Sequence, residues 1–200
     1  MTDYPARYIP RQNTVFVCDA YEKAASHIRE LQDLATINEV SIVFTSCLEC
    51  REIAGEAIVV CIVRRLLETV RSRNKIKWFR FITRIKYWQM NKEFNGLINS
   101  LEEWPTVEHL ETTLASGHRI IKAQINRLVS KERTKFALFV INNFEHVDKA
   151  KQPVLAGILH RLVKGSPAYF RIVSVGAPHL FRKDDFGEVG VQLNHDYIMI

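Results

Sequence analysis

Six consecutive apolar residues, Phe136-Ala-Leu-Phe-Val-Ile141, run without interruption into Asn142 and Asn143. A strand that is apolar at every position buries both faces, and such strands belong in parallel sheets covered by helices. Thr14–Cys18, Val40–Thr45 and Tyr169–Val175 also read as strands, Tyr197–Ile200 as a fifth, and segments of helical period separate them. This alternation predicts an α/β fold, a parallel five-stranded sheet flanked by helices with right-handed crossovers. Two hundred residues form one domain of ordinary size, spanning 1–200.

Asp19 to Ala25 reads as a connection and Ser26–Leu34 as the first helix. Glu52–Val70 is apolar nearly all round, which predicts a buried helix. Lys75–Leu101 is helical in pattern, with a break expected near Asn95-Gly96 and a stop before Pro105. Thr106 can cap the next helix, whose stripe is Val107, Leu110, Leu114, Ile121, Ile125 and Leu128; Gly117 weakens its middle. Residues from about 71 to 133 thus make a helical insertion between the second and third strands. Val154–Val163 is a last helix, ended by Lys164-Gly165.

The net charge of +6 is unevenly spread. Arg71, Arg73, Lys75, Lys77, Arg80, Arg84 and Lys86 lie in one acid-free stretch, and taking these seven from +6 leaves −1 for the remainder. With Trp78, Phe79, Phe81 and Trp88 among them, these cations are candidates for gripping nucleic acid or an anionic surface. The competing reading is an amphipathic helix with its aromatics in the core and its cations in water. Met1–Gln12 carries no secretory signal, and the apolar block Ala57–Val63 is too short to span a bilayer. Four cysteines in a chain this long do not make a disulfide scaffold. The expectation is a soluble, cytoplasmic protein with reduced thiols. Cys47-x-x-Cys50 lacks the second pair that a zinc site needs, so no metal is expected there. His146, His160 and His179 have no nucleophile or acid patterned around them.

The segment after the first strand is where a phosphate cradle of the form G-x-x-x-x-G-K-[ST] would sit. In that place stands Asp19-Ala-Tyr-Glu-Lys-Ala-Ala-Ser26. Only Ser26 keeps its type. Asp19 and Ala24 replace the glycines whose backbone turns N–H groups onto phosphate, and Ala25 replaces the lysine. Lys23 is two positions early. Further on, Phe136 to Asp148, then Gln152-Pro153, then Leu159-His-Arg-Leu-Val-Lys-Gly165 resembles the Walker B strand and following helix of prokaryotic P-loop ATPases of the AAA/STAND type, related to the origin-recognition ATPases. Phe170-Arg-Ile-Val-Ser-Val-Gly-Ala-Pro-His179 is similar to their fourth strand, with Ser174 at the sensor-1 position. Leu48-Glu-Cys-Arg-Glu-Ile53 also fits the stretch after their second strand.

The resemblance implies an ATPase fold, while the residues at its catalytic positions differ. Asn142 and Asn143 stand where the family carries acids that hold magnesium and polarise water, and an amide does neither. Glu145 and Asp148 follow closely; Asp148 also suits a helix cap. The expectation is therefore a pseudo-ATPase with no catalytic residue, metal or cofactor, acting through a protein partner, self-association or nucleic acid. The alternative is an ATP-binding, even ATP-hydrolysing, protein in which Ser26, Asn142, Asn143 and Ser174 hold ATP and magnesium. The family's helical lid after the fifth strand has no counterpart before Ile200, which suggests a shortened relative or a truncated reading frame.

Overall fold

The computed structural model describes residues 9, 11–75, 81–176, 178 and 196–199, and the side chains of all of these except 38, 81–86 and 196–199. Strands β1 (Thr14–Cys18), β2 (Val40–Ser46), β3 (Phe136–Asn142) and β4 (Ala168–Val175) form the body of a sheet flanked by helices. They lie in the order β2-β3-β4-β1, all parallel, and Asp196–Met199 (β5) pairs parallel with the outer side of β1. β3 lies between β2 and β4 with Phe136 to Ile141 all buried, as its unbroken apolar run predicts.

The helices are α1 (Tyr21–Asn38), α2 (Ala57–Arg73), α3 (Phe81–Glu103), α4 (Val107–Glu132) and α5 (Gln152–Val163). Ala24 and Leu31 of α1 meet Phe16, Leu138 and Val140 on one face of the sheet. On the other face α2, α3, α4 and α5 share a larger core with Phe139 and Phe170. α2 is buried from Ile58 through Val63 and again at Leu66, Leu67 and Val70, which explains its apolar circumference. Thr106 caps α4, its hydroxyl accepting the His109 N–H at 3.2 Å.

Several expected boundaries are corrected. α1 begins at Tyr21 rather than Ser26, and α2 at Ala57 rather than Glu52. α3 runs unbroken through Asn95-Gly96, and α4 through Gly117. Gly117 serves packing: a Cβ there would lie 2.1 Å from Leu97 Cδ1, across the α3–α4 contact. A Cβ on Gly96 would meet nothing within 4 Å. Opposite responses are expected in urea denaturation. Gly96→Ala gains about 1 kcal/mol from helix propensity, and Gly117→Val loses about 1–3 kcal/mol by overpacking. Equal responses would contradict the packing role of Gly117.

The cysteines also depart from expectation. Cys50, in the short 3-10 turn Cys47–Cys50 after β2, is disulfide-bonded to Cys61 of α2, with Cα atoms 6.3 Å apart. The expectation of wholly reduced thiols is thus wrong, because spacing does not reveal that α2 folds back onto this turn. Cys18 and Cys47 are free and buried. No helix among the described residues is long and apolar enough to cross a membrane.

Candidate functional site

The chain leaves β1 through α1 on one face of the sheet and enters its neighbour β4 from α5 on the other. Parallel sheets bind ligands at such a switch, in the crevice beyond the carboxyl ends of the strands. The residues there are Cys18 at the end of β1 and Asp19 after it, Asn142 at the end of β3 and Asn143 after it, and Ser174 to Gly176 at the end of β4.

The joint between β1 and α1 is two residues long, Asp19 and Ala20. Lys23, Ala24 and Ala25 are therefore turns of helix, which corrects their reading as a connection, and Ser26 lies in the helix expected to begin with it. Ala24 is buried in the core beneath α1, Ser26 is exposed, and Lys23 is bound to Asp19 at 2.9 Å. A phosphate cradle needs a loop whose N–H groups converge, and a two-residue joint has none. The first-turn amides of α1 are what remains, and Asp19 sets a carboxylate beside them, where an anion would otherwise be favoured. This joint does not fit a triphosphate.

The β3 end is built differently from its β1 counterpart. Asn143 adopts a left-handed conformation (φ 56°, ψ 42°) that asparagine tolerates, and it turns the chain into the short 3-10 turn Phe144–His146. Its Oδ1 accepts the Ser46 hydroxyl at 3.0 Å, tying the ends of β2 and β3 together. Asn143 is thereby a structural residue. Strand alternation turns Asn142 toward the α1 face, following Leu138 and Val140, and Ser174 toward the opposite face, following Phe170 and Ile172. Asn142 and Ser174 thus face opposite sides of the sheet at its carboxyl end.

Glu145 lies in the 3-10 turn that follows the two amides. Its Oε2 accepts the Val175 N–H at 3.0 Å, bridging from the turn after β3 to the end of β4. Its Oε1, Asn142 Oδ1 and Ser174 Oγ are all buried without a hydrogen-bond partner among the described residues. The signal for Glu145 was its position three residues past β3; its direction depended on the turn at Asn143. Asp148 caps locally, its Oδ1 accepting the Ala150 N–H at 2.8 Å. Burial pushes the Cys18 and Cys47 thiols up, helped by Asp19 at Cys18 and by Glu145 at both. Neither thiol is poised as a thiolate nucleophile. His160 is held below the ordinary histidine range by burial and by Lys164, and His179 lies outside the described residues.

No protein-family model and no curated protein matches this chain. Among the described residues, no group of three or more His, Cys, Asp or Glu side chains is gathered to hold a metal ion.

The basic stretch divides. Arg73 is bound within the fold: its Nε donates to Glu132 Oε1 at 2.8 Å, and its two terminal nitrogens donate to Glu132 Oε2 and to the Ile42 carbonyl. Its reading as a nucleic-acid contact is corrected, because the end of α2 packs beside β2. Arg71 is half-buried and Lys75 exposed. Lys77 and Arg80 lie outside the described residues, and Arg84 and Lys86 are described only as backbone of α3.

Proposed function

We propose that this chain is a non-catalytic binding module, a pseudo-ATPase built on an AAA/STAND-like P-loop framework that acts by associating with protein or nucleic acid. The single observation that carries this reading is the two-residue joint between β1 and α1. The loop's glycines and lysine are replaced, and so is its shape: the residues that would wrap phosphate are wound into helix. The amides at the end of β3 add a second, independent loss, since they neither balance the charge of magnesium nor activate water. Protein association is supported by Leu48 and Ile53, exposed apolar residues lining an open concavity of about 470 Å³ beside the Cys47–Cys50 turn.

A second reading, an ATP-binding protein with atypical motifs, is favoured by the oxygens of Asn142, Glu145 and Ser174 that have no hydrogen bond among the described residues at the ends of β3 and β4. Thermal unfolding with and without magnesium and millimolar ATP separates the two. The binding-module reading predicts an unchanged midpoint. Nucleotide binding at a hundredfold excess over its dissociation constant would add about 2.7 kcal/mol of stability and raise it.

A further inference from the structure

We infer that the exposed face shared by α3 and α4 is a stacking platform for single-stranded nucleic acid, with Trp88 and Tyr87 receiving bases and Lys92, Arg127 and Lys131 following the phosphates. This deepens the association reading above and rests on it.

Trp88 is 63% and Tyr87 38% exposed, at consecutive positions on α3. Each has a cation at its face: Lys92 Nζ is 5.3 Å from the Trp88 ring centroid, and Arg127 Cζ is 4.5 Å from that of Tyr87. Lys131, one helical turn beyond Arg127 on α4, reaches the end of α2, where its exposed ammonium donates to the Arg73 carbonyl and to the Lys75 carbonyl at 2.9 Å. Two neighbouring rings thus each carry a cation at one face. Base stacking on an exposed ring beside a cation requires this composition, and it is tolerant of sequence.

The platform is held rigidly from beneath. Asn74, at the end of α2, donates to Gln124 Oε1 at 2.8 Å, and Gln124 Nε2 donates to Asn91 Oδ1 at 3.0 Å. Asn74 and Gln124 are buried, so this polar relay bolts the three helices together under the rings.

Charge is segregated to match. Residues 71–92 hold eight Lys or Arg and no acid, and residues 118–135 hold six with one acid, Glu132, which is bound to Arg73. Taking these thirteen net charges from +6 leaves −7 for the rest of the chain. By sequence, the segments that carry the rings and Arg127 hold the cationic excess of the chain, which favours a polyanion as their ligand. An anionic bilayer fits less well, because the described exposed neighbours of the two rings on α3, Gln89, Lys92 and Glu93, are polar where an interfacial helix needs a continuous apolar face.

The test is fluorescence anisotropy of a labelled oligothymidine of about 20 nucleotides, long enough for several stacked bases, with the full chain and with Trp88→Ala, Tyr87→Ala and Lys92→Gln. An oligouridine arm separates DNA from RNA preference. Binding is expected to weaken steeply between about 50 mM and about 200 mM salt. Each ring variant is expected to weaken it roughly tenfold, within the range for losing one stacked base. Lys92→Gln should lower the log–log salt slope by about 0.7, one phosphate contact. All three positions are exposed, and unchanged melting temperatures will show that the variants fold. Absence of binding at the lower salt would overturn the inference, as would binding indifferent to both ring variants. Binding to phosphatidylglycerol vesicles with none to oligonucleotide would overturn it in favour of a membrane contact. Failure here with magnesium-ATP still unbound removes this surface alone; nucleotide binding removes the reading beneath it.

Discussion

Lowering the pH from about 7 to about 4 is expected to remove on the order of 3 kcal/mol of folding stability through His27 alone. His27 is 8% exposed, stacked on Phe16 with ring centroids 3.9 Å apart, and its Nε2 has no hydrogen-bond partner among the described residues. Burial, and then the charge of Arg171, lowers its pKa from 6.5 to about 4. The folded protein resists the proton that the unfolded chain accepts. Between pH 6.5 and 4 the unfolded state therefore binds more protons, so the stability present above pH 6.5 is lost as the pH falls through that window. Arg171 cannot move aside: it is 2% exposed, donates to Thr14 Oγ1 at 2.9 Å and lies 4.4 Å from the Phe16 ring centroid. Glu39 and Glu56, held below the ordinary carboxylate range mainly by Lys135 and by the Val107 N–H respectively, also lose partners in acid. The informative quantity is thus the difference between wild type and His27→Phe, which keeps a ring against Phe16. Urea denaturation at pH 7 and pH 4 should show the variant losing about 3 kcal/mol less. Equal losses would mean that His27 takes up its proton in the folded state.

The second large effect is expected at Glu132. Its carboxylate accepts from Arg73 through two nitrogens and from the Ser41 hydroxyl at 2.7 Å. Ser41 is 1% exposed and lies on β2, at the edge of the sheet. Glu132→Ala strands a partly buried guanidinium and removes an acceptor from a buried hydroxyl. Arg73 and Glu132 keep between a quarter and a third of their side-chain surface in water, so the cost is set below that of a dry ion pair, at about 2 kcal/mol. Arg73→Ala additionally frees a carbonyl of the edge strand, at Ile42. Unpaired edge groups recruit other strands, so this variant should aggregate at lower concentration than wild type. A double-mutant cycle in urea is expected to give a coupling of at least about 1 kcal/mol. Additive losses would show that the pair is two independent surface charges.

How much of this was legible depends on the signal each element carries. β3 announced itself, because an apolar residue at every position has few other homes. α4 did too, because Thr106 is a capping residue in front of a regular stripe. The start of α1 did not: its N-cap is Ala20, which has no side chain to signal a cap, and no glycine or proline marks the joint. Gly117 was misleading, since a glycine that weakens an isolated helix is also what lets two helices approach closely. Arg73, His27 and Arg171 were opaque for a shared reason. Charged and polar residues are read as solvent-facing, and only tertiary packing turned these inward. At the site, the two amides were visible as residue types, but the left-handed turn at Asn143 and the resulting aim of Glu145 were not.

The proposed function requires that the β1–α1 joint forms no phosphate-binding loop, whatever side chains surround it. It is tested most directly by calorimetric titration of magnesium-ATP into wild type and into the Asn142→Asp/Asn143→Asp variant. No binding heat is expected at millimolar nucleotide for either, because adding the acids does not unwind α1 into a phosphate-binding loop. Micromolar binding by either protein, with ATP turnover abolished by Ser26→Ala, would contradict it.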